Sequence, residues 1–449
     1  MNAPVSSQQS QVDIGRILDD GPWTSLQKLV VLLAAFAIIA DGFDGQLIGY
    51  AIPSLMAEWG VSRGEFAPVV ASGLVGMGIG TACAGLFADR FGRKFALLAS
   101  IVVFGVATCA IGFAQNIWQV ALIRFIAGLG VGGALPTATT VTAEFTPLRH
   151  RTLAITATIV CVPFGGMLAG FVAGHVIPLY GWRGLFWIGG AIPLILPLIL
   201  IMKLPESPRF LAHNSNRWAE LRTLLGRMSR PVPNDISFFD SREQAVEGNG
   251  GVKALFQQGR GFDTLALWIA CFAVLLATYS AFSWLPTMLT GEGVSGAVAG
   301  TGLTAYNLGG VLGAMVCAYA VTRFGSKWPL AIFTAGGAIS AFFLMTIKPA
   351  ENIDVFIVGI GMHGLFVTTV QCIIYSLCAN VYPTNIRATG TAATLAIGRL
   401  GAILSSFVGA AMITAGGAFS YFAMLGAAMV VATFALWFVR NQIRPVEKT

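Results

Sequence analysis

The stretch IIADGFDGQLIGYAIP, residues 38–53, ends an apolar block that runs from residue 26 to residue 53. About 20 predominantly apolar residues suffice for a helix to cross roughly 30 Å of hydrocarbon, so this block is long enough to span a bilayer. It nevertheless contains two carboxylates, Asp41 and Asp44. A charge at that depth is costly and usually faces a protein interior or a water-filled cavity. The stretch therefore predicts a membrane helix that carries acidic groups on an internal face.

The whole chain has the composition of a membrane protein. Of its 449 residues, 56% are hydrophobic and only 10% are charged, whereas soluble globular domains carry roughly 25% charged residues. Apolar blocks recur along nearly the whole sequence and predict an all-α membrane protein with twelve transmembrane helices. The predicted spans cover residues 26–53, 65–88, 95–114, 118–143, 152–177, 183–203, 264–290, 297–321, 328–347, 354–380, 388–414 and 417–439.

The charged residues between the spans predict the side on which each loop lies. With the N-terminus inside, most Lys and Arg residues fall on that side, and the other loops keep only Arg63, Arg183 and Lys348. Cytoplasmic loops carry such an excess, so the net charge of +7 reflects topology and does not indicate nucleic-acid binding. Both termini are then cytoplasmic. The predicted regions are a cytoplasmic N-terminal tail (1–24), an N-terminal six-helix bundle (25–203), a cytoplasmic linker (204–262), a C-terminal six-helix bundle (263–440) and a cytoplasmic tail (441–449).

Two pairs of similar segments indicate an internal duplication. FADRFGRK (87–94) aligns with AVTRFGSK (320–327), which places Arg90 opposite Arg323. EFTPLRHR (144–151) aligns with NVYPTNIR (380–387), which places Pro147 opposite Pro383. The two pairs occur in the same order and at nearly the same separation along the chain. Many secondary transporters are built from such repeats around a binding site near the bilayer midplane, so the sequence predicts two pseudo-symmetric six-helix bundles.

Several motifs resemble those of the major facilitator superfamily. GLFADRFGRK (Gly85–Lys94) is similar to its loop motif G-x-x-x-D-R-x-G-R-K, and RFIAGLGVGG (Arg124–Gly133) to its fourth-span motif. PESPRFL (205–211) is similar to the motif that closes its first half, and DGFD in span one resembles the D-G-[FY]-D signature of the aromatic acid:proton symporters. The resemblance implies a proton-coupled secondary active transporter of the bacterial inner membrane. Its implied substrate is a small aromatic carboxylate of the 4-hydroxybenzoate, protocatechuate or benzoate type.

Asp41 and Asp44 are the candidate proton-coupling residues. They are three residues apart, so their side chains are neighbours on one helical face. Two carboxylates this close in a low-dielectric environment cannot both be ionised cheaply, which is what a proton-binding site requires. Arg124 can pair with one of them and leave the other to titrate. A buried Asp–Arg pair that only fixes helix packing is the alternative explanation.

Arg124 and Arg399 are the charged candidates for substrate binding. At 1.5 Å per residue, Asp41 and Arg399 lie about 20 Å and about 18 Å from the cytoplasmic face, and Arg124 about 10 Å from the outer face. The three charges thus reach similar depth, and a guanidinium group matches a carboxylate bidentately. For Arg399, bonding to backbone carbonyls in helix packing is the alternative. Further candidates, each also explained by ordinary packing, offer ring stacking or hydrogen bonds: Trp284, Tyr306, Asn307, Gln371 and Tyr375.

Charged residues at the inner ends of the helices are candidates for a gate. Asp89 can cap or bridge neighbouring helix ends, and Arg90 and Arg93 can pair with Glu144 at the end of span four. Such pairs are expected to hold the halves in the outward-open state and to break for inward opening. The second half has Thr322 in place of Asp89, so the corresponding ion pairs are expected to be weaker there.

Arg151 and Arg387 are candidate paired anchors of the same gate. Each follows a proline by four residues in the duplicated segment. The excess of positive charge on the inner side is the alternative explanation for both.

The sequence predicts no metal site and no cofactor. Its seven cysteines lie in apolar spans without a CxxC pair or a His partner, so buried small side chains explain them better. A GxxxxGK[ST] motif does not occur, which disfavours ATP coupling. The expected partners are a small aromatic carboxylate, protons and the lipid bilayer, and the chain is expected to act as a monomer.

Other functions remain open from the sequence. The chain could carry another solute, such as a sugar, a non-aromatic organic acid or an exported drug. It could also be a receptor that binds aromatic acids without moving them. A membrane enzyme is disfavoured because the sequence shows no cluster of nucleophile and base or of metal ligands.

Overall fold

The computed structural model is predominantly helical and describes residues 11–233, 236–240, 252–257, 259–383 and 386–443. Two short strands are present, β1 (Gln11–Asp13) and β2 (Ser237–Phe239). The helices of the described part are α1 (Ile14–Asp20), α2 (Ser25–Trp59), α3 (Arg63–Phe91), α4 (Arg93–Ile111), α5 (Ile117–Phe145), α6 (Leu148–Lys203), α7 (Pro208–His213), α8 (Trp218–Arg227), α9 (Gly261–Gly291), α10 (Gly296–Phe324), α11 (Lys327–Met345), α12 (Ile353–Val381) and α13 (Arg387–Trp437), with 3₁₀ turns at Ser215–Arg217 and Val252–Phe256. Ten of them, α2 to α6 and α9 to α13, are long and apolar enough to cross a membrane.

Two of these ten helices each contain two membrane spans. Helix α6 has 56 residues and α13 has 51, which is more than twice the roughly 20 residues that one span needs. The backbone of α6 breaks at Gly181 (φ 65°, ψ −173°), and that of α13 breaks at Gly416 and Gly417, the latter with φ 58° and ψ −140°. Glycine adopts these positive φ values without the steric cost that a Cβ imposes. Divided at the breaks, the helices give the twelve spans predicted from the sequence.

The two halves repeat one another in helix length and in the position of the breaks. Helices α3, α4 and α5 have 29, 19 and 29 residues, and α10, α11 and α12 have the same lengths in the same order. Gly92 (φ 96°) separates the first pair and Gly325 (φ 74°) the equivalent pair. Gly181 and Gly417 are separated along the chain by the same number of residues as the aligned prolines Pro147 and Pro383. The prediction of two pseudo-symmetric six-helix bundles is confirmed.

The outer surface of the bundles is apolar. On α2, Leu32 and Phe36 are about half exposed, whereas Leu33 and Ala37 are buried in the helix packing. Large exposed hydrophobic side chains occur on the other spans as well. In water such a surface would favour association, but it is what a helix presents to lipid. The polar groups of these helices are therefore turned inward.

Helix α2 approaches α6 at backbone distance beside the acidic residues. A Cβ added at Gly42 would lie 2.1 Å from the carbonyl oxygen of Val162, and one at Gly165 would lie 2.2 Å from that of Ile39. Small residues allow membrane helices to approach this closely. Gly42, between Asp41 and Asp44, thus fixes the part of α2 that carries both acids.

The predicted tail and linker form one layer on the inner ends of the N-terminal half. Strand β1 pairs in parallel with β2, with Val12 opposite Phe238. The Asp13 side chain accepts a hydrogen bond from the Gly15 amide and caps α1. Arg209 donates to the buried carboxylate of Asp240 over 2.8 Å. The strand pair thus joins the described part of the linker to the distant N-terminal tail.

Replacing Gly42 by alanine is expected to destabilise the fold by about 3 kcal/mol, because the added methyl group overlaps the Val162 carbonyl. The midpoint of thermal unfolding in detergent and the yield of monodisperse protein measure the effect. Gly45→Ala is the matched control, since a Cβ at Gly45 meets no atom within 4 Å. Equal stability of the two variants would show that the contact between α2 and α6 is not limiting.

Candidate functional site

Asp41 and Asp44 lie on the inner face of α2, buried among helices. Asp41 is 6% exposed and Asp44 is fully buried. Asp44 Oδ1 accepts a short hydrogen bond from Thr108 on α4. Asp44 Oδ2 and Asp41 Oδ1 are buried without a hydrogen-bond partner in the part of the chain that the structure describes. An unpaired oxygen of a buried carboxylate is costly, so both acids have an unfilled place for a proton or a donor.

Arg124 of α5 provides the positive charge next to Asp44. Its guanidinium interacts electrostatically with that carboxylate. A Cβ at Gly73 would be 3.3 Å from Arg124 Nε, so the glycine of α3 makes room for the side chain. Arg124 Nε and Nη1 are buried and have no hydrogen-bond partner among the described residues. The structure thus brings together the pair that the sequence analysis suggested.

Arg399 of α13 brings a second guanidinium from the other half. Its charge acts on Asp41. Arg399 Nη1 donates to Tyr279 Oη on α9 at 2.6 Å and lies 2.8 Å from Met77 Sδ on α3. The guanidinium carbon is 5.6 Å from the centre of the Tyr279 ring, a cation–π distance. Two acids and two arginines from three helices therefore meet, as their estimated depths predicted.

Contacts between the two halves also occur nearer the predicted outer side. Asn307 Nδ2 donates to Gln46 Oε1 at 2.7 Å, and Gln46 Nε2 donates to Asn307 Oδ1 at 3.0 Å. At the predicted outer ends, Arg63 of α3 lies next to Gly291 of α9. A Cβ added at Gly291 would be 2.5 Å from Arg63 Nη2. These contacts join the two halves near the predicted outer side.

The predicted aromatic and amide contacts divide into two groups. Asn307 faces the other half through Gln46. Trp284 is fully buried and donates to the Ser406 carbonyl at 3.1 Å, and Tyr306 packs between Phe282 and His363. Both of these point into the C-terminal bundle, so their contact with substrate stays a prediction. Gln371 is half-buried on α12, and the side chain of Tyr375 lies outside the part that the structure describes.

Comparison with known proteins agrees with this architecture. The profile of the Major Facilitator Superfamily matches residues 34–406, with a second match over residues 267–449. The chain belongs to the major facilitator superfamily. It is 34% identical to a gallate transporter of Pseudomonas putida over 95% of this chain and 94% of that one. It is also 34% identical to the 4-hydroxybenzoate transporter PcaK of Pseudomonas putida over 97% of this chain and 96% of that one.

A solved structure with the same fold is the inward-open xylose transporter XylE from Escherichia coli. The TM-score is 0.72 at 22% sequence identity, over 93% of this chain and 97% of that one. At this identity the likeness concerns the fold alone. The protein is thus a multi-pass membrane transporter of the superfamily, related to transporters of the bacterial inner membrane.

The superfamily's loop motif forms ion pairs within the N-terminal half. Arg93 Nη2 is 2.8 Å from Asp89 Oδ1, and Arg93 Nε is 3.5 Å from Glu144 Oε1. Glu144 also accepts a short hydrogen bond from Ser207 of the linker. Arg90 is exposed at the surface. These contacts therefore join α3, α4, α5 and the linker, and their role in gating stays a prediction.

Arg151 and Arg387 make equivalent backbone contacts in the two halves. Arg151 Nη2 donates to the Thr146 carbonyl at 3.1 Å, and Arg387 Nε donates to the Tyr382 carbonyl at 3.3 Å. Each carbonyl belongs to the residue directly before the proline of the repeat. Arg151 additionally forms an ion pair with Asp19 of the tail. The duplication thus extends to the way these arginines fix the chain.

Four residues at this site were absent from the sequence-based candidates: Gln46, Met77, Thr108 and Tyr279. One signal was available for Gln46. A buried amide such as Asn307 requires a partner in the membrane interior, and Gln46 lies close to the aspartates on the same span. Nothing in a single sequence connects Met77 or Thr108 with the site, because their contacts arise only when separate helices pack.

Asn307→Leu is expected to open the outer side more often, because it leaves the Gln46 amide buried without its partner at a cost of about 1–3 kcal/mol. A cysteine placed at Thr304, in a variant without the seven native cysteines, should react about fivefold faster with a membrane-impermeant maleimide. The double variant Gln46→Leu/Asn307→Leu should react at the original rate, since replacing both partners by apolar groups is nearly neutral. An unchanged rate in the single variant would contradict the gate.

Proposed function

We propose that this protein imports a small aromatic carboxylate together with a proton, by alternating access of a site between its two halves. The observation that carries the proposal is the cluster of Asp41, Asp44, Arg124 and Arg399, to which both halves contribute; Arg399 is half-buried and the other three are buried. Ionisable groups inside the membrane mark transport and proton pathways in such proteins. The printed functions of two relatives, gallate and 4-hydroxybenzoate transport, support the aromatic acid.

The charges of the cluster give a reason for coupling the two solutes. Two carboxylates and two guanidinium groups sum to zero when all are ionised. Entry of a substrate anion adds one negative charge to a region of low dielectric, where an uncompensated charge costs several kcal/mol. Binding one proton to an aspartate restores neutrality. The proposed cycle therefore loads one proton with one anion.

Asp41 is the aspartate that we propose to respond to the substrate. Arg399 acts on Asp41 in the empty protein, and a substrate carboxylate that binds Arg399 would weaken this attraction. Asp41 would then take up the proton more readily. Asp44 is held by Thr108 and faces Arg124, so we assign it the part of keeping Arg124 in place and tuning the site.

Arg399 and Tyr279 are the proposed recognition elements for the aromatic acid. The guanidinium presents N–H donors that suit a carboxylate, and the Tyr279 ring lies next to it as a surface on which an aromatic ring can stack. A neutral sugar would make no use of Arg399. The recognised substrate is thus an anion with an adjoining ring.

Alternating access requires two gates, one on each side of the substrate site. We propose that the Gln46–Asn307 contact opens when the protein faces outward. We further propose that the inner ends around Asp89, Arg93 and Glu144 then meet the C-terminal half, with Arg90, Arg151 and Arg387 fixing the ends of the helices. The cytoplasmic position of both termini stays a prediction from the charge distribution, and in the proposed symport an inward proton gradient drives the import.

Purified protein in liposomes is expected to accumulate labelled 4-hydroxybenzoate or protocatechuate when the outside is made acidic. Without the proton gradient the label should only equilibrate. Uptake that ignores the gradient would rule out symport, and transport of xylose but not of either acid would favour a sugar carrier. Binding of the acids without any uptake would favour a receptor.

Asp41→Asn and Asp44→Asn are expected to fold and to lose at least tenfold in proton-driven accumulation, because each removes a carboxylate from the charge balance of the cluster. For Asp41→Asn, exchange of labelled for unlabelled substrate without a gradient should persist, since exchange needs no net proton movement. Initial uptake rates in the same liposomes measure both. Accumulation at the wild-type level in both variants would remove the coupling hypothesis.

Arg399→Lys is expected to weaken carboxylate binding about tenfold, because a lysine keeps the positive charge but cannot form the bidentate hydrogen bonds of a guanidinium group. Isothermal titration of the purified protein with 4-hydroxybenzoate measures the dissociation constant. Arg440→Lys, at the end of the C-terminal bundle, is the matched control and should bind normally. An unchanged affinity in Arg399→Lys would contradict the assigned role.

A further inference from the structure

Met77 connects the N-terminal half to the proposed substrate-binding arginine. Its sulfur is 2.8 Å from Arg399 Nη1, and the same nitrogen donates to Tyr279 Oη at 2.6 Å. Tyr279 Oη is itself 3.6 Å from the sulfur. Tyr279 and Arg399 belong to the C-terminal half, so Met77 brings an acceptor to them from the opposite side of the site.

The backbone of Met77 is fixed, and only its side chain is adaptable. A Cβ added at Gly132 would lie 2.2 Å from the Met77 carbonyl oxygen, and one at Gly128 would lie 2.9 Å from its amide nitrogen. Helix α3 therefore touches the backbone of α5 at this point. The methionine side chain is unbranched and has three rotatable bonds. Its sulfur can leave Arg399 without movement of the helix.

A thioether is a poor partner for a guanidinium group in this setting. Sulfur is only a weak hydrogen-bond acceptor, whereas a hydrogen bond between a guanidinium and a carboxylate is charge-assisted and roughly twice as strong as a neutral one. A carboxylate that binds Arg399 through Nη1 will therefore displace the sulfur. A stronger neutral acceptor at the same place would compete with it.

We propose that Met77 is a positioning residue that holds Arg399 in the empty protein and gives way to the substrate carboxylate. The inference rests on the proposed function. Because Met77 and Arg399 lie in different halves, the exchange replaces a direct contact between the halves by one that passes through the substrate. Occupancy of the site and the relative position of the halves are linked in this way.

Substitutions of Met77 that change only the acceptor test this exchange. Met77→Leu keeps the approximate volume and removes the acceptor, which destabilises the empty state alone and should lower the dissociation constant for 4-hydroxybenzoate about threefold. Met77→Gln supplies an amide oxygen that competes for Arg399 and should raise the dissociation constant for 4-hydroxybenzoate about tenfold. Isothermal titration of purified protein in detergent gives both values, and the thermal midpoint establishes that each variant is folded.

The same pair of substitutions in the Arg399→Lys background separates positioning from a general effect on packing. If residue 77 acts through Arg399, the difference in affinity between the Gln and Leu variants should shrink to less than twofold there. An effect of packing alone would give the same difference in both backgrounds and would overturn the inference.

The possible outcomes also distinguish this inference from the proposed function. One set of outcomes is that the wild type binds 4-hydroxybenzoate while the Leu and Gln variants bind it equally well, or while the Gln variant binds it more tightly than the Leu variant. Either result would overturn the role of Met77 and leave the proposed function standing. Failure of the wild type to bind any aromatic carboxylate would overturn both. If the Gln variant does not fold, the Leu variant decides alone, since weaker or equal binding contradicts the exchange.

Discussion

The cost of holding charge inside a membrane is the constraint on which the rest of this structure depends. Asp41 and Asp44 lie on a helix whose other face meets lipid, and each is close to a guanidinium group, Arg399 or Arg124. A carboxylate alone at that depth would be too costly to keep ionised. The cluster is tolerable because a guanidinium group next to each carboxylate offsets its charge when it is ionised. The same balance provides the proposed link between anion and proton.

The architecture serves to bring these charges together from separate helices. Helices α2 and α5 of the N-terminal half and α13 of the C-terminal half contribute the interacting groups. Glycines then decide how closely the helices meet: Gly42 admits the backbone of α6 beside the acids, and Gly73 leaves room for Arg124. A larger side chain at Gly42 or Gly73 would move the charged groups of the cluster apart, and their electrostatic interaction weakens with distance.

The predicted inner side of the protein is less symmetric than the membrane spans. Tail, linker and loop motif are bound to the N-terminal half through Asp19, Arg93 and Glu144. The equivalent loop of the C-terminal half has Thr322 where the other has Asp89. The N-terminal half with its attached layer is suited to move as one body against the C-terminal half. That motion is what alternating access requires.

The sequence by itself determined the helical membrane fold, the twelve spans, the duplication and the four charges within the spans. These features follow from local properties, namely the length of apolar blocks, the spacing of repeats and the rarity of charge in a span. The tertiary structure alone decided that Arg399 contacts Tyr279 and Met77, that Gln46 pairs with Asn307, that Trp284 and Tyr306 point into the C-terminal bundle, and that β1 pairs with β2. Each of these depends on the rotation of a helix about its axis or on segments distant in the chain. In a span that is apolar on every side, hydrophobic periodicity does not specify that rotation, so only the packing of the neighbouring helices fixes it.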